Sequence, residues 1–221
     1  SQQEPRLVVH YAATTEPIRF DTSVSSIVNK FKDDTVDFHQ TVADMANISR
    51  TQAKTINLGL FYGMGKAKLQ AELGLNTKEE AEELFNTYHT NVPFVRDLMN
   101  YTSKTAQTSG SIGTLLGRRC RFNKWEPKAF GMHKPMDFGE ATSLYRQEHI
   151  RRAFTYKALN KLIQGSAADM TKKSMLELYK EGIIAHIQIH DELDISVESD
   201  KKAKRIIEIM EAAVDLEVPN K

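Results

Sequence analysis

Three groups of side chains have the types and spacing to do chemistry. The first is His190-Asp191-Glu192, set among Ile187, Ile189, Leu193, Ile195 and Val197, all at odd positions. That alternation signals a strand or a hairpin, and Asp191 falls on its apolar phase. A carboxylate there either marks a hairpin turn or is held beside a buried face for a purpose. Paired acidic side chains at a strand end also supply the hard oxygen ligands that Mg2+ takes, and Mg2+ binds phosphates.

The second group is Arg50, Lys54, Asn57, Leu58 and Tyr62. At about 100° per residue these form one slowly drifting helical stripe. Arg50 and Lys54 are like charges at i,i+4, which costs an isolated helix about 0.2–0.5 kcal/mol. An anion on the stripe, a triphosphate for example, would offset that; two solvated cations on an exposed helix is the plainer reading. The third group is Asn160, Gln164 and Asp169, with Lys157 one turn earlier. Asn and Gln at i,i+4 either solvate a helix or donate to minor-groove acceptors, which all base pairs share, so that binding is independent of sequence.

The elements that must position these groups are mostly helical. Asp37 is placed to cap a helix through Met45, and Arg50 to Phe61 reads as a second, ended by Tyr62-Gly63-Met64-Gly65. Thr77-Lys78-Glu79-Glu80 is a capping box for an amphipathic helix to about Tyr88, and Pro93 opens another that runs to Ser109-Gly110. Gly117 to Phe138, basic and holding Pro127 and Pro135, reads as loop. Helix resumes near Glu140 and continues past Ala158, Ser166 to Lys180 is helical, and Lys201 to Leu216 forms a last amphipathic helix. A little strand is expected at each end of the chain, including the apolar run Arg6 to Ala12, which gives an α+β class.

The 221 residues are 40% hydrophobic and 27% charged, enough to bury a core and unlike a disordered chain. No apolar run approaches the roughly 18–20 residues of a membrane span. Cys120 is the only cysteine, which excludes an internal disulfide and fits a reducing cytoplasm. The formal charge of +1 is unevenly spread: Arg118 to Lys161 holds eleven Lys/Arg against four Asp/Glu, a net of +7, leaving −6 elsewhere. A segregated basic stretch is either a solvated surface or a face for a polyanion.

Several blocks of this sequence resemble the family-A DNA polymerases, the DNA polymerase I group. Arg50-Thr-Gln-Ala-Lys54-Thr-Ile-Asn-Leu58-Gly-Leu-Phe-Tyr62-Gly63 is similar to their fingers helix, and Ile189-His190-Asp191-Glu192-Leu193 to a palm motif. Ser1 to Arg6 (SQQEPR) resembles the tail of another palm motif. Thr114 to Arg119 (TLLGRR) and Asn160 to Asp169 (NKLIQGSAAD) also fit, in the family's order. The resemblance implies mostly helical fingers inserted in part of a right-hand polymerase palm with a small antiparallel sheet. Residues 1–30 would open the palm, 31–140 form the fingers, and 141–221 complete this part of the palm.

It also implies roles. Asp191 would bind two Mg2+ ions, with Glu192 in support, and Lys54 would neutralise the triphosphate and protonate the departing pyrophosphate. His39 and Arg50 would hold phosphates. Glu4 would crowd a ribose 2′-hydroxyl with Tyr62 beside it, and Leu58 would sit near the sugar. Lys157, Asn160, Gln164 and His190 would meet primer–template DNA, Arg6 its primer side, and Arg118 and Arg119 its phosphates. The partners implied are primer–template DNA, dNTPs and an N-terminal polymerase fragment supplying thumb, palm strands and the first catalytic Asp. That Asp would lie two residues ahead of Ser1, so a split gene, an intein junction or a truncation is expected there.

Thr51 stands where the family has a second arginine, Lys157 where it often has Arg, and Leu58 where most members have Phe or Tyr. Leu there is a phage-type feature, which implies a viral source and a host cytoplasm. Two alternatives are a DNA-binding fragment that does no chemistry alone and a single-subunit RNA polymerase relative. The latter typically reads H-D-S where this chain has His190-Asp191-Glu192, and Glu4 favours DNA synthesis. Leu58→Tyr is expected to raise dideoxynucleotide incorporation in an active assembly; equal chain termination by variant and parent in a primer-extension assay would refute this.

Overall fold

The computed structural model describes residues 3–32, 37–61, 64–129, 131 and 133–219. Helices dominate: α1 (Gln3–Thr14), α2 (Thr22–Phe31), α3 (Phe38–Ala46), α4 (Arg50–Phe61), α5 (Lys66–Leu73), α6 (Lys78–Asn91), α7 (Pro93–Ser109), α8 (Phe138–Leu144), α9 (Ala158–Lys180) and α10 (Asp200–Glu211). Three short antiparallel pairs join β1 (Ser111–Gly113) to β2 (Arg119–Arg121), β3 (Trp125–Pro127) to β4 (Ile150–Arg152), and β5 (Ile187–Ile189) to β6 (Glu192–Asp194).

Locally coded boundaries fall where expected. Asp37 caps α3 by accepting from the backbone N–H of His39 and Gln40. Thr77 and Glu80 close a reciprocal capping box at α6. Pro93 opens α7, and Gly110 ends it at φ 74°, a left-handed conformation a side chain would strain.

Where distant partners decide, the structure differs. Arg6 to Ala12 is helix, not strand: Leu7, Val8, Val9 and Ala12 of α1 are completely buried among α2, α7 and α9. Three consecutive apolar residues, Leu7-Val8-Val9, carry no period to separate the two. The expected loop after Gly117 contains β2 and β3. The expected helix through Ala158 breaks at Leu144, because β4 pairs with β3. Arg152 also donates to the Phe122 carbonyl at 2.8 Å and lies 4.6 Å over the Trp125 ring. The last helix stops at Glu211 instead of Leu216. Val214 and Val218 turn back into the core that contains α1.

The β5–β6 hairpin corrects a subtler expectation. A two-residue turn, His190-Asp191, sets Ile189 opposite Glu192 and Gln188 opposite Leu193. Directly opposed residues share a face, so the odd positions fall on one face in β5 and on the other in β6. Leu193 and Ile195 pack toward Leu178, Ile206 and Ile209. Ile187 and Ile189 lie on the other face and are exposed, at 52% and 56%. Asp191 belongs to neither face; it is in the turn, beside His190 at φ 53°.

One buried group sets a pH limit on this core. His89 of α6 is 3% exposed, and among the described residues neither ring nitrogen has a hydrogen-bond partner. Burial, aided by the charge of Arg96, pushes its pKa down to about 4. An unfolded chain therefore takes up a proton below the ordinary value of 6.5 that the folded chain refuses until about pH 4, and stability is lost as pH falls across that window. His89→Leu is expected to remove about 2 kcal/mol of the stability difference between pH 7 and pH 5, read from urea midpoints of variant and parent at both values.

Candidate functional site

Four helices and the hairpin turn enclose a cleft of about 560 Å3. Its lining comprises Gln3, Glu4 and Pro5 of α1, His39 of α3, Lys54 and Leu58 of α4, Gln164, Ala167, Ala168 and Thr171 of α9, and His190 and Asp191 from the turn. Seven of the residues singled out in the sequence thus meet: Glu4, His39, Lys54, Leu58, Gln164, His190 and Asp191. Gln3, Pro5, Ala167, Ala168 and Thr171 were missed. Ala167 and Ala168 carry no chemistry that a sequence could flag. Their small side chains at the lining leave room for whatever enters.

The lining side of α4 is set by its opposite side. Ala53, Ile56 and Asn57 are completely buried and Phe61 nearly so, which turns exposed Lys54 and half-buried Leu58 to the cleft. Arg50, one turn before Lys54, is already paired: its Nε and Nη2 donate to Asp37 Oδ2 at 2.9 and 2.6 Å. The anion that offsets the Arg50–Lys54 repulsion is therefore Asp37. Burial would raise the Asp37 carboxyl, but hydrogen bonds from Arg50 and the α3 backbone, with the Arg50 charge, hold it below the usual range. His39 is shifted down, first by burial and then by the charges of Arg50 and Lys54, against an upward pull from Asp37.

The third sequence group divides. Gln164 is exposed and lines the cleft, while Asn160 is half-buried and lies outside it. Lys157, two turns before Gln164, is exposed with its ammonium 5.0 Å from the Phe154 ring and 5.6 Å from the Tyr156 ring. Asp169 is on the opposite side of α9, 5% exposed. Its carboxylate accepts from the Thr114 hydroxyl, from Leu116 N at 3.4 Å and from Arg118 Nε at 3.0 Å. Burial alone would raise this carboxyl; those hydrogen bonds and the Arg118 charge hold it low. Ser166, next to it, accepts from Leu115 N at 3.0 Å and contacts Tyr11 Oη of α1 at 2.6 Å. Residues 114–118 and α1 are thereby both locked to α9.

Other expected site residues sit elsewhere. Arg6, expected at a primer strand, is buried; its guanidinium donates to the Pro219 carbonyl and lies 5.1 Å from the Phe31 ring. Arg118 is committed to Asp169 and to the Gly165 carbonyl, at 2.7 Å, with half its side chain still exposed. Arg119 is exposed on β2. Glu192 lies just past the turn, on the face of Ile187 and Ile189. Tyr62 lies outside the described residues. Among those described, no three His, Cys, Asp or Glu side chains cluster closely enough to hold a metal ion, and no helix is long and apolar enough to cross a membrane.

A family model described as DNA polymerase family A matches residues 1–221. The DNA-directed DNA polymerase of Pseudomonas phage M6 is 34% identical over 258 aligned positions, which cover 100% of this chain and 36% of that protein. DNA polymerase I of Geobacillus stearothermophilus is 31% identical over 230, covering 100% of this chain and 24% of that one. Among solved structures, the POL domain of Pol1 from M. smegmatis, in complex with DNA primer-template and dNTP, matches with a TM-score of 0.74 at 27% identity, over 100% of this chain and 37% of that one. The chain thus spans little more than a third of the length of the first of these relatives and a quarter of the second.

The α9 anchor is tight at Gly165, where an added Cβ would come within 2.6 Å of Thr114 Cγ2. Thr114 cannot swing away without leaving Asp169. Gly165→Ala is therefore expected to destabilise by about 1–3 kcal/mol through overpacking, despite the better helix propensity of Ala. A higher urea midpoint in the variant would mean that the 114–118 turn can yield.

Proposed function

The chain belongs to DNA polymerase family A, and we propose that it forms the nucleotide-binding side of a template-directed DNA polymerase, which adds dNTPs to a primer 3′ end. The observation that carries this reading is the cleft. It joins Glu4, His39, Lys54, Leu58, Gln164, His190 and Asp191 from widely separated stretches, all but His39 within a block that resembles the family. Residues 31–140 would act as fingers and the flanking segments as palm.

A triphosphate in the cleft meets the Lys54 ammonium, which neutralises charge and gives a proton to the departing pyrophosphate. Arg50 exchanges Asp37 for a phosphate when the nucleotide arrives. Glu4 crowds the ribose 2′ position from α1 while Leu58 borders the sugar from α4. Gln164 and His190 face the primer terminus, with Asn160 and Lys157 further along the duplex and Arg118 and Arg119 toward its phosphates. Contacts of this kind make DNA affinity fall steeply with salt.

The turn carboxylate suits a hard cation that keeps waters and substrate phosphates in its shell. Asp191 would help to hold two Mg2+ ions, which when bound stabilise the attacking and leaving oxygens, whereas Glu192, expected in support, lies on the outward face of the hairpin and outside the cleft lining. The first catalytic Asp, the thumb and further palm strands would come from polypeptide other than these 221 residues, whether joined to Ser1 or separate.

The exposed Ile187 and Ile189 favour a second reading, in which the 221 residues alone bind DNA but extend no primer. Primer extension with Mg2+ and dNTPs separates the two. We expect activity when the chain is combined with thumb, palm strands and the first Asp, and a loss of at least about a hundredfold with Asp191→Ala. DNA binding without extension in any combination would leave only the second reading.

A further inference from the structure

A line of buried polar groups runs behind the cleft and crosses three helices. Tyr88 of α6 and Asn57 of α4 are both completely buried, and His39 of α3 is 8% exposed. Tyr88 Oη lies 2.5 Å from Asn57 Oδ1, and Asn57 Nδ2 lies 3.1 Å from His39 Nδ1. None of the three is needed to fill space in this way: Phe and Leu would pack as well without requiring partners. Together they satisfy one another, and the line ends at the one member that borders the cleft.

The direction of the protons follows from the burial. A buried phenol must donate, and among the described residues its acceptor is Asn57 Oδ1. That commits the other end of the amide, Nδ2, to donate toward His39. His39 Nδ1 must then accept, so it carries no hydrogen. In the neutral ring the hydrogen is on Nε2, the nitrogen turned from Asn57. A proton on Nδ1 would face the amide N–H, so the imidazolium is opposed as well. Around the ring stand Asp37, Arg50 and Lys54, with Glu4, His190 and Asp191 on the cleft lining.

We propose that Tyr88 and Asn57 are positioning residues that fix His39 as a neutral Nε2–H donor, aimed at an oxygen of the incoming triphosphate. The destination of that hydrogen bond rests on the polymerase reading; the tautomer does not. Neither Tyr88 nor Asn57 touches the nucleotide. They act by setting which ring nitrogen bears the proton, so that no rearrangement is needed when a phosphate oxygen arrives.

The test is nitrogen NMR on the 221-residue chain with labelled histidine, the His39 signals being assigned by their loss in His39→Gln. At pH 7 we expect a pyridine-type Nδ1 and a pyrrole-type Nε2, with the Nε2 signal moving on addition of dATP. Tyr88→Phe frees the amide to turn and should give a mixture of tautomers. It should also weaken dATP binding by about threefold to tenfold, with kcat of the active assembly little changed. Asn57→Asp should place a proton on Nδ1. Where that variant fails to fold, Tyr88→Phe alone decides. A protonated Nδ1 in the parent, or a tautomer unchanged in Tyr88→Phe, would overturn the proposal. An Nε2 signal that ignores dATP while primer extension proceeds would overturn its triphosphate role. Absence of extension with the tautomer as expected would count against the polymerase reading instead.

Discussion

The Asp169 carboxylate is the fixed point from which the cleft is built. Buried in α9, it would be costly there if unpartnered, and it gathers the Thr114 hydroxyl, the Leu116 amide and the Arg118 guanidinium around it. Breaking one partner from a buried charge costs far more than the pair contributes over a hydrophobic replacement, so the arrangement specifies geometry more than it adds stability. With the turn at 114–118 pinned to one side of α9 and Tyr11 of α1 pinned through Ser166, the other side of α9 is left to present Gln164, Ala167, Ala168 and Thr171 to the cleft.

The facing wall uses the same device on a smaller scale. Asp37 both starts α3 and receives Arg50 from the first turn of α4, so one carboxylate sets the angle between the helices that carry His39 and Lys54. Its pairing with an exposed guanidinium is weak enough to be exchanged for a phosphate. The cap it gives α3 is backbone-based and stays. Behind it, Tyr88 and Asn57 tie α6 and α4 to His39. The cation at the rim is half exposed and paired through one carboxylate oxygen, while the histidine within is buried and tied to Asn57.

The hairpin shows how a strand pair can serve two masters. Its two-residue turn places Leu193 and Ile195 against α9 and α10 and leaves Ile187 and Ile189 facing outward with Glu192. A turn residue is tied to neither face, which is what frees Asp191 to reach the cleft.

What the sequence determined by itself is what neighbouring residues decide. The Asp37 cap, the Thr77–Glu80 box, the Pro93 start and the Gly110 stop are each settled by side chains within a turn of the backbone they satisfy. The motif residues were legible because charge and spacing mark them locally. Tertiary structure alone decided the rest. It made α1 a helix, because a short run as apolar as Leu7-Val8-Val9 takes its form from what surrounds it. It broke the segment before Ala158, because β3 claims β4. It split the hairpin's apolar phase, because register resets at a two-residue turn. It also buried Arg6, expected beside a primer strand, and made Asp169 a buried anchor, and it drew Asn57 and Tyr88, 31 residues apart, into the line behind His39. Such pairings depend on burial and on partners far along the chain. Both exist only once the helices have packed, and no local pattern records them.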